Sequence, residues 1–151
     1  MSAETLGGLT AIASAHTADA PDGFRQMALF DPFEAYVGPF FDRRHVGELA
    51  FGMRIAPRHA NARGVAHGGA LLTFADATLG SCVWESSGHA WCVTVNMQAQ
   101  FVRAVAVGEV VTVRPEIVRT TREIVFVRGD YMVEDRPVMT VTSLWKIMPR
   151  P

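Results

Sequence analysis

Between residues 47 and 56, Leu49, Phe51, Met53 and Ile55 alternate with Glu48, Ala50, Gly52 and Arg54. That period of two predicts a strand with one buried face. From His67 to Ser86 the period changes: Leu71, Leu72, Phe74, Leu79, Cys82 and Val83 recur at helical spacing, and the run ends near Gly88. This is the expected long central helix. Strand-like segments follow at Trp91 to Phe101, Glu109 to Arg119, Glu123 to Val133 and Val138 to Met148. Thr120-Thr121-Arg122 and Glu134-Asp135-Arg136-Pro137 supply the short connections of an antiparallel meander. Upstream, Asp31-Pro32-Phe33-Glu34 reads as a short helix start, with an N-cap, Pro in the first position and an acid in the third. Gly38-Pro39 stops it.

The order is therefore strand, long helix, then a run of strands, which makes the fold class α+β. Several predicted strands reach about ten residues, beyond the usual five or six. Long antiparallel strands around one apolar helix predict a curved sheet wrapping that helix. One helix covers only part of such a sheet, so a second copy is expected on the remainder, giving a homodimer. Residues 1–24, rich in Ala, Thr, Ser, Gly and Asp, read as a flexible leader ahead of a single domain over 25–151.

Composition narrows the class without naming a chemistry. The chain is 49% apolar, and its 14 basic residues nearly balance 15 acidic ones, so no global field points to nucleic acid. No Lys or Arg precedes Arg25, and no apolar run approaches the roughly 20 residues of a membrane span. The expectation is a cytoplasmic protein with no membrane partner. Cys82 and Cys92 read as reduced thiols, and with His59 and His67 they match no zinc spacing. No glycine-rich nucleotide fingerprint and no G-x-S-x-G elbow is present. Neither a metal nor a resident cofactor is expected.

The chemistry concentrates at Asn61-Ala62-Arg63-Gly64-Val65-Ala66-His67-Gly68-Gly69, followed by Asp76. A polar, glycine-rich loop runs into a helix whose first N–H groups, at Gly68 and Gly69, are a ready oxyanion site. Asp76 is the single charge between His67 and Glu85, in a run that reads as buried. Gly69, Thr73, Asp76 and Gly80 fall on one stripe of the helix, small or polar throughout, which suits either a close helix neighbour or a ligand. Gly68 and Asp76 lie about 12 Å apart along the axis at 1.5 Å per residue. A catalytic acid and an oxyanion donor must each come within about 3 Å of one reacting centre. If both serve one reaction, they come from different chains. The group they suit is an activated acyl carbonyl such as a thioester. The Gly68 N–H would hold the oxyanion, with Asp76 as base or nucleophile. Thr94 would hold the water, and Asn61 and His67 would shape the loop or position the thioester. Arg103, Arg119 and Arg122 are candidates for the phosphates of coenzyme A.

The pattern Asn61-x5-His67-Gly68-Gly69-x6-Asp76, then Val93-Thr94-Val95-Asn96-Met97 and Phe101-x6-Gly108-Glu109, resembles the hotdog-fold acyl-CoA thioesterases of the phenylacetate-degradation (PaaI-like) type. The resemblance spans roughly residues 45 to 148. It implies Gly68 as oxyanion donor, Asp76 as nucleophile or base, Thr94 as its assistant and Asn61 as the loop amide. It further implies sites built across a dimer, with dimers often paired into tetramers. One departure is Ala104-Val105, where such enzymes commonly carry Pro-Ala. Two other functions share the pattern: an acyl-CoA-binding module without turnover, and an enoyl-CoA hydratase or dehydratase using His67 with Asp76 as its acid–base pair.

Overall fold

The expected long helix is present as α2 (Gly68–Ser86), and its ends show why it forms there. The imidazole of His67 caps the first turn, its Nδ1 accepting the Gly69 N–H at 2.9 Å. Beyond Ser87, Gly88 adopts φ +70° and turns the chain out of the helix. Leu71, Phe74, Ala75, Thr78, Leu79 and Val83 are buried, a face at helical spacing that packs on the sheet.

The computed structural model describes residues 5–6 and 9–149. Two short strands, β1 (Thr5–Leu6) and β2 (Leu9–Thr10), pair with each other. Then come β3 (Arg25–Gln26), α1 (Pro32–Val37), β4 (Phe41–His45), β5 (Glu48–Arg54) and a single 3-10 turn at Pro57–His59. After α2 follow β6 (Cys92–Phe101), β7 (Val110–Val113), β8 (Glu116–Thr120), β9 (Ile124–Val133) and β10 (Arg136–Ile147). All but β1 and β2 join one eight-stranded sheet in the order β3-β4-β5-β7-β9-β10-β6, with β8 also on β9. The pairings are antiparallel. Helix α2 packs on β5, β6, β9 and β10, and α1 packs on α2.

Phe74 sits at the centre of the core, its ring 5.4 Å from Phe40 and 5.6 Å from Tyr131. Tyr131 is fully buried, so its hydroxyl needs a partner, and it shares a 2.8 Å hydrogen bond with Thr78. Gly129 is the close-approach point on β9: a Cβ there would meet Val113 Cγ2 at 2.8 Å.

Three features differ from the sequence expectation. The segment Glu109 to Arg119 is two strands rather than one, because Pro115 has no N–H for the ladder and the chain breaks at Arg114-Pro115. Strand β4 has no periodic signal, because its Phe41-Asp42-Arg43-Arg44-His45 sequence does not alternate. The charges are covered instead, Asp42 by Arg25 and Arg44, and Arg43 by lying over the Phe24 ring at 4.8 Å. The hairpin with β5 turns at Gly47, whose φ of +75° suits glycine. The last difference is on α2, where the close neighbour of Gly80 is the Trp145 ring of β10, with 2.9 Å left for a Cβ, rather than another helix.

The N-terminal stretch makes backbone contacts with the body: Ile12 N–H donates to Leu29 O at 2.6 Å and Ala15 N–H to Ala35 O at 2.8 Å. Residues 1–4, 7 and 8 of the expected leader lie outside the described residues. No helix among the described residues is long and apolar enough to cross a membrane.

Candidate active site

Asp76 stands midway along α2, and Thr94 reaches it from β6, donating its hydroxyl to Oδ1 at 2.6 Å. A charged acceptor makes this a strong hydrogen bond, and it leaves Oδ2 free for other work. Asp76 was expected in a buried run, yet it is exposed in the protomer, as are Gly69 and Leu72 on the same helix face. The apolar neighbours that suggested burial, Phe74, Ala75, Ala77 and Leu79, point the other way into the core.

Asp76 and Thr94 line a cavity of about 530 Å³ between the second half of α2, the start of β6 and residues 25–34. Its apolar walls include Met27, Phe30, Trp84, Trp91 and Trp145. Trp84 lines this cavity, whereas Phe74 and Leu79 are in the core. Glu34 and Cys92, both lining this cavity, are pushed off their ordinary values. Burial, then the charge of Asp31, a hydrogen bond with it and the charge of Asp76 raise the Glu34 carboxyl to about 8. Burial, with Asp76 adding to it, raises the Cys92 thiol to about 11, so it stays neutral. The sequence had read Glu34 only as a helix-start residue. The one signal for more was its place, one turn after an N-cap acid, which puts two carboxyls on the same end of α1.

The glycine-rich loop lies elsewhere. Asn61 makes a turn, its Oδ1 accepting the Arg63 N–H at 2.8 Å and its own N–H donating to Val65 O at 2.8 Å. His67 caps α2 and, with Gly69 and Thr73, faces a hollow of about 450 Å³ beside Tyr36 and Arg58. The Gly68 N–H has no acceptor among the described residues. Gly68 lines a third hollow of about 300 Å³ with Phe101 and Arg103, and a Cβ on it would stand 3.3 Å from the Phe101 ring. Within one chain, then, the structure brings Asp76 to Thr94 and Gly68 to Arg103, but does not bring the two pairs into one cavity. Arg119 and Arg122 are exposed, in β8 and the turn after it, and Asn61, Arg119 and Arg122 line none of these hollows.

The tempting His59 is a core residue, 4% exposed, its Nδ1 accepting the Ala56 N–H at 3.0 Å and its Nε2 bonded to Val37 O at 2.8 Å. Among the described residues, no group of three or more His, Cys, Asp or Glu side chains could hold a metal ion.

This architecture recurs among solved structures. A coenzyme A complex of a hypothetical thioesterase from Streptococcus pneumoniae superposes with a TM-score of 0.66 at 22% identity, covering 74% of this chain and 87% of that one. A variant of the phenylacetic acid degradation protein PaaI from Thermus thermophilus gives 0.67 at 23% identity, covering 78% of this chain and 100% of that one. Both share the fold, which is the hotdog fold. In sequence, a Pseudomonas aeruginosa protein named as an esterase is 27% identical over 131 residues, 85% of this chain and 98% of its own length. The model of the thioesterase superfamily matches residues 63–140, the stretch that holds Gly68, Asp76 and Thr94. With one α2 wrapped by one antiparallel sheet and this match across its centre, the chain belongs to the thioesterase superfamily and is a thioester hydrolase.

Proposed function

We propose that this protein hydrolyses acyl-CoA thioesters in sites completed by a second copy of the chain, each joining Asp76 and Thr94 of one protomer to Gly68 of the other. The carrying observation is that the free Gly68 N–H and the Thr94-bound Asp76 carboxylate line separate cavities of the same chain. The coenzyme A bound to the Streptococcus pneumoniae relative supports the thioester carrier.

Strand β6 supplies the geometry for joining them. It ends the sheet order, so its outer edge carries unpaired N–H and C=O groups along ten residues. Trp91, Val93, Val95, Phe101 and Val102 are exposed on or beside it, more apolar surface than a lone edge strand tolerates. Two such edges pairing antiparallel about their midpoints bury this surface. The Thr94 end then falls beside the partner's Phe101 end, and Gly68 packs on Phe101. An isologous dimer thus brings each Asp76 to the other chain's Gly68, twice by symmetry.

In the reaction, the Gly68 N–H and the α2 dipole stabilise the oxyanion as water oxygen adds to the thioester carbon. Asp76 takes the proton of that water, or attacks the carbon itself before water releases the acid. The C–S bond breaks, and the departing thiolate takes up a proton as the free acid forms. Arg103, beside Gly68, is placed to meet a coenzyme A phosphate. The hydratase alternative needs His67 and Asp76 on one substrate. The Nδ1 of His67 is instead committed to capping α2.

The test is free-thiol release from a panel of acyl-CoAs by wild type and Asp76→Asn. Wild type is expected to release thiol, and the variant to lose at least about 10²-fold in kcat/KM. No release by wild type from any member overturns the proposal, and an unimpaired Asp76→Asn overturns the assignment of the acid.

A further inference from the structure

The cavity beside Asp76 has an uneven balance of charge. At one end Arg25 Nε pairs with Asp42 Oδ1 at 3.0 Å, and Arg44 bridges Asp42 at 2.8 Å and Glu85 at 2.7 Å. Two cations and two anions cancel there, Arg25 bonding through Nε and Arg44 through Nε and Nη1. The remaining carboxyls of the lining, Asp31, Glu34 and Asp76, have no cationic partner among the described residues. Asp31 is committed to the start of α1, its Oδ1 accepting the Glu34 N–H at 2.8 Å, and Asp76 is held by Thr94. The other titratable group in the lining, the Cys92 thiol, is neutral and offsets nothing.

Glu34 occupies the middle of this arrangement. It projects from α1 into the same cavity as Asp76, one helical turn from Asp31, with aromatic walls around it. We propose that Glu34 is a specificity-determining residue of the acyl cavity: with Asp31 it forms an acidic wall facing the acyl group, so that uncharged acyl groups are accepted and those ending in a carboxylate are excluded. It rests on acyl-CoA hydrolysis at Asp76 as proposed above. A second carboxylate brought into this space meets the charges of Asp31 and Asp76, which no cation pairs, and Arg44 cannot turn to it without leaving Glu85 without its arginine. Around neutral pH Glu34 adds no charge of its own to the wall, because it keeps its proton up to about 8. Above that value it gains a further negative charge, and the exclusion sharpens.

The experiment compares kcat/KM for acyl-CoAs matched in chain length, butyryl with succinyl and hexanoyl with adipoyl, at pH 7 and pH 9. Wild type is expected to prefer the uncharged member by roughly 100-fold at pH 7. The preference should widen several-fold at pH 9. In Glu34→Gln the ratio is expected not to widen with pH, because the amide cannot ionise. In Glu34→Lys, which sets a cation beside Asp31 and Asp76, the ratio should fall at least tenfold at pH 7. Equal rates for the matched members in wild type would overturn the proposal, as would a Glu34→Gln ratio that still widens like wild type. A Glu34→Lys ratio unchanged from wild type would overturn it as well. Hydrolysis of butyryl-CoA or hexanoyl-CoA without discrimination sinks this inference alone, whereas failure to hydrolyse any acyl-CoA sinks the thioesterase reading beneath it.

Discussion

The Thr94 hydroxyl donates a 2.6 Å hydrogen bond to the Asp76 carboxylate, tying strand β6 to the middle of α2. Since β6 is also the open edge of the sheet, the side chain that orients Asp76 stands on the strand that pairs in the proposed dimer. Thr94→Val keeps the shape and removes the donor. Hydrogen bonds to charged groups contribute about 1.5–3 kcal/mol, so kcat/KM should drop about 10- to 100-fold. Thr94→Ser should retain most of the activity. Steady-state kinetics on one good acyl-CoA decides it, and a fully active Thr94→Val would show that the bond is not used.

Gly68 offers an unusually clean deletion. It is the first residue of α2, where proline is well tolerated, and His67 precedes it at φ −67°, ψ 135°, a conformation that proline permits. Gly68→Pro therefore removes the N–H without breaking the helix, and Gly68→Ala keeps the N–H while adding a Cβ against Phe101. Loss of one oxyanion donor is expected to lower kcat by about 10²–10³ in the proline variant, with a much smaller effect in the alanine variant. Equal losses in both would assign the effect to packing on Phe101.

Shared sites predict complementation. Gly68→Pro and Asp76→Asn are each inactive alone, yet a mixed dimer holds one intact site, built from Asp76 of the first chain and Gly68 of the second. Random exchange makes half of the dimers mixed, so activity should return to about a quarter of wild type. Mixtures that remain inactive after verified exchange would place Asp76 and Gly68 in different reactions.

His67 bonds the helix start through Nδ1. His67→Ala leaves the Gly69 N–H without that acceptor and should cost about 1 kcal/mol, a fall in Tm of about 2–4 °C for a chain of this size. Asparagine, a good N-cap, should restore the loss. If asparagine restores stability but not activity, the imidazole also touches substrate.

Stability should depend on pH through Glu34. Its folded value of about 8 lies above the ordinary 4.5, so the folded chain holds this proton more tightly than the unfolded chain. The stabilising contribution is complete below 4.5 and is lost as pH rises through 8. Glu34→Gln has no proton to lose, so its Tm relative to wild type should climb between pH 5 and pH 8. A constant difference across that window would mean that Glu34 titrates normally.

Much of this was legible beforehand because periodicity reports burial. The alternation in β9 and β10 and the helical spacing of Leu71, Phe74, Leu79 and Val83 translate directly into the faces seen, whereas β5 is buried on both faces and the apolar positions Val93, Val95 and Phe101 of β6 are exposed. Strand β4 was hidden because ion pairs, rather than alternation, accommodate Asp42 and Arg44. At the site, the loop and helix chemistry was readable as a motif, and the eight-residue gap from Gly68 to Asp76 already separated them by about 12 Å. The cavity walls were not readable. Met27, Phe30 and Glu34 meet Trp84 and Trp145 only through tertiary packing, and nothing local in the sequence announces that meeting.

The residues matched to the superfamily begin at 63, so α1 and the strip before it lie outside that shared stretch while walling the cavity beside Asp76. On the reading proposed above, chemistry and choice of cargo belong to separable pieces of one chain. Exchanging residues 25–34 is a way to retarget the enzyme while its reacting groups stay where they are.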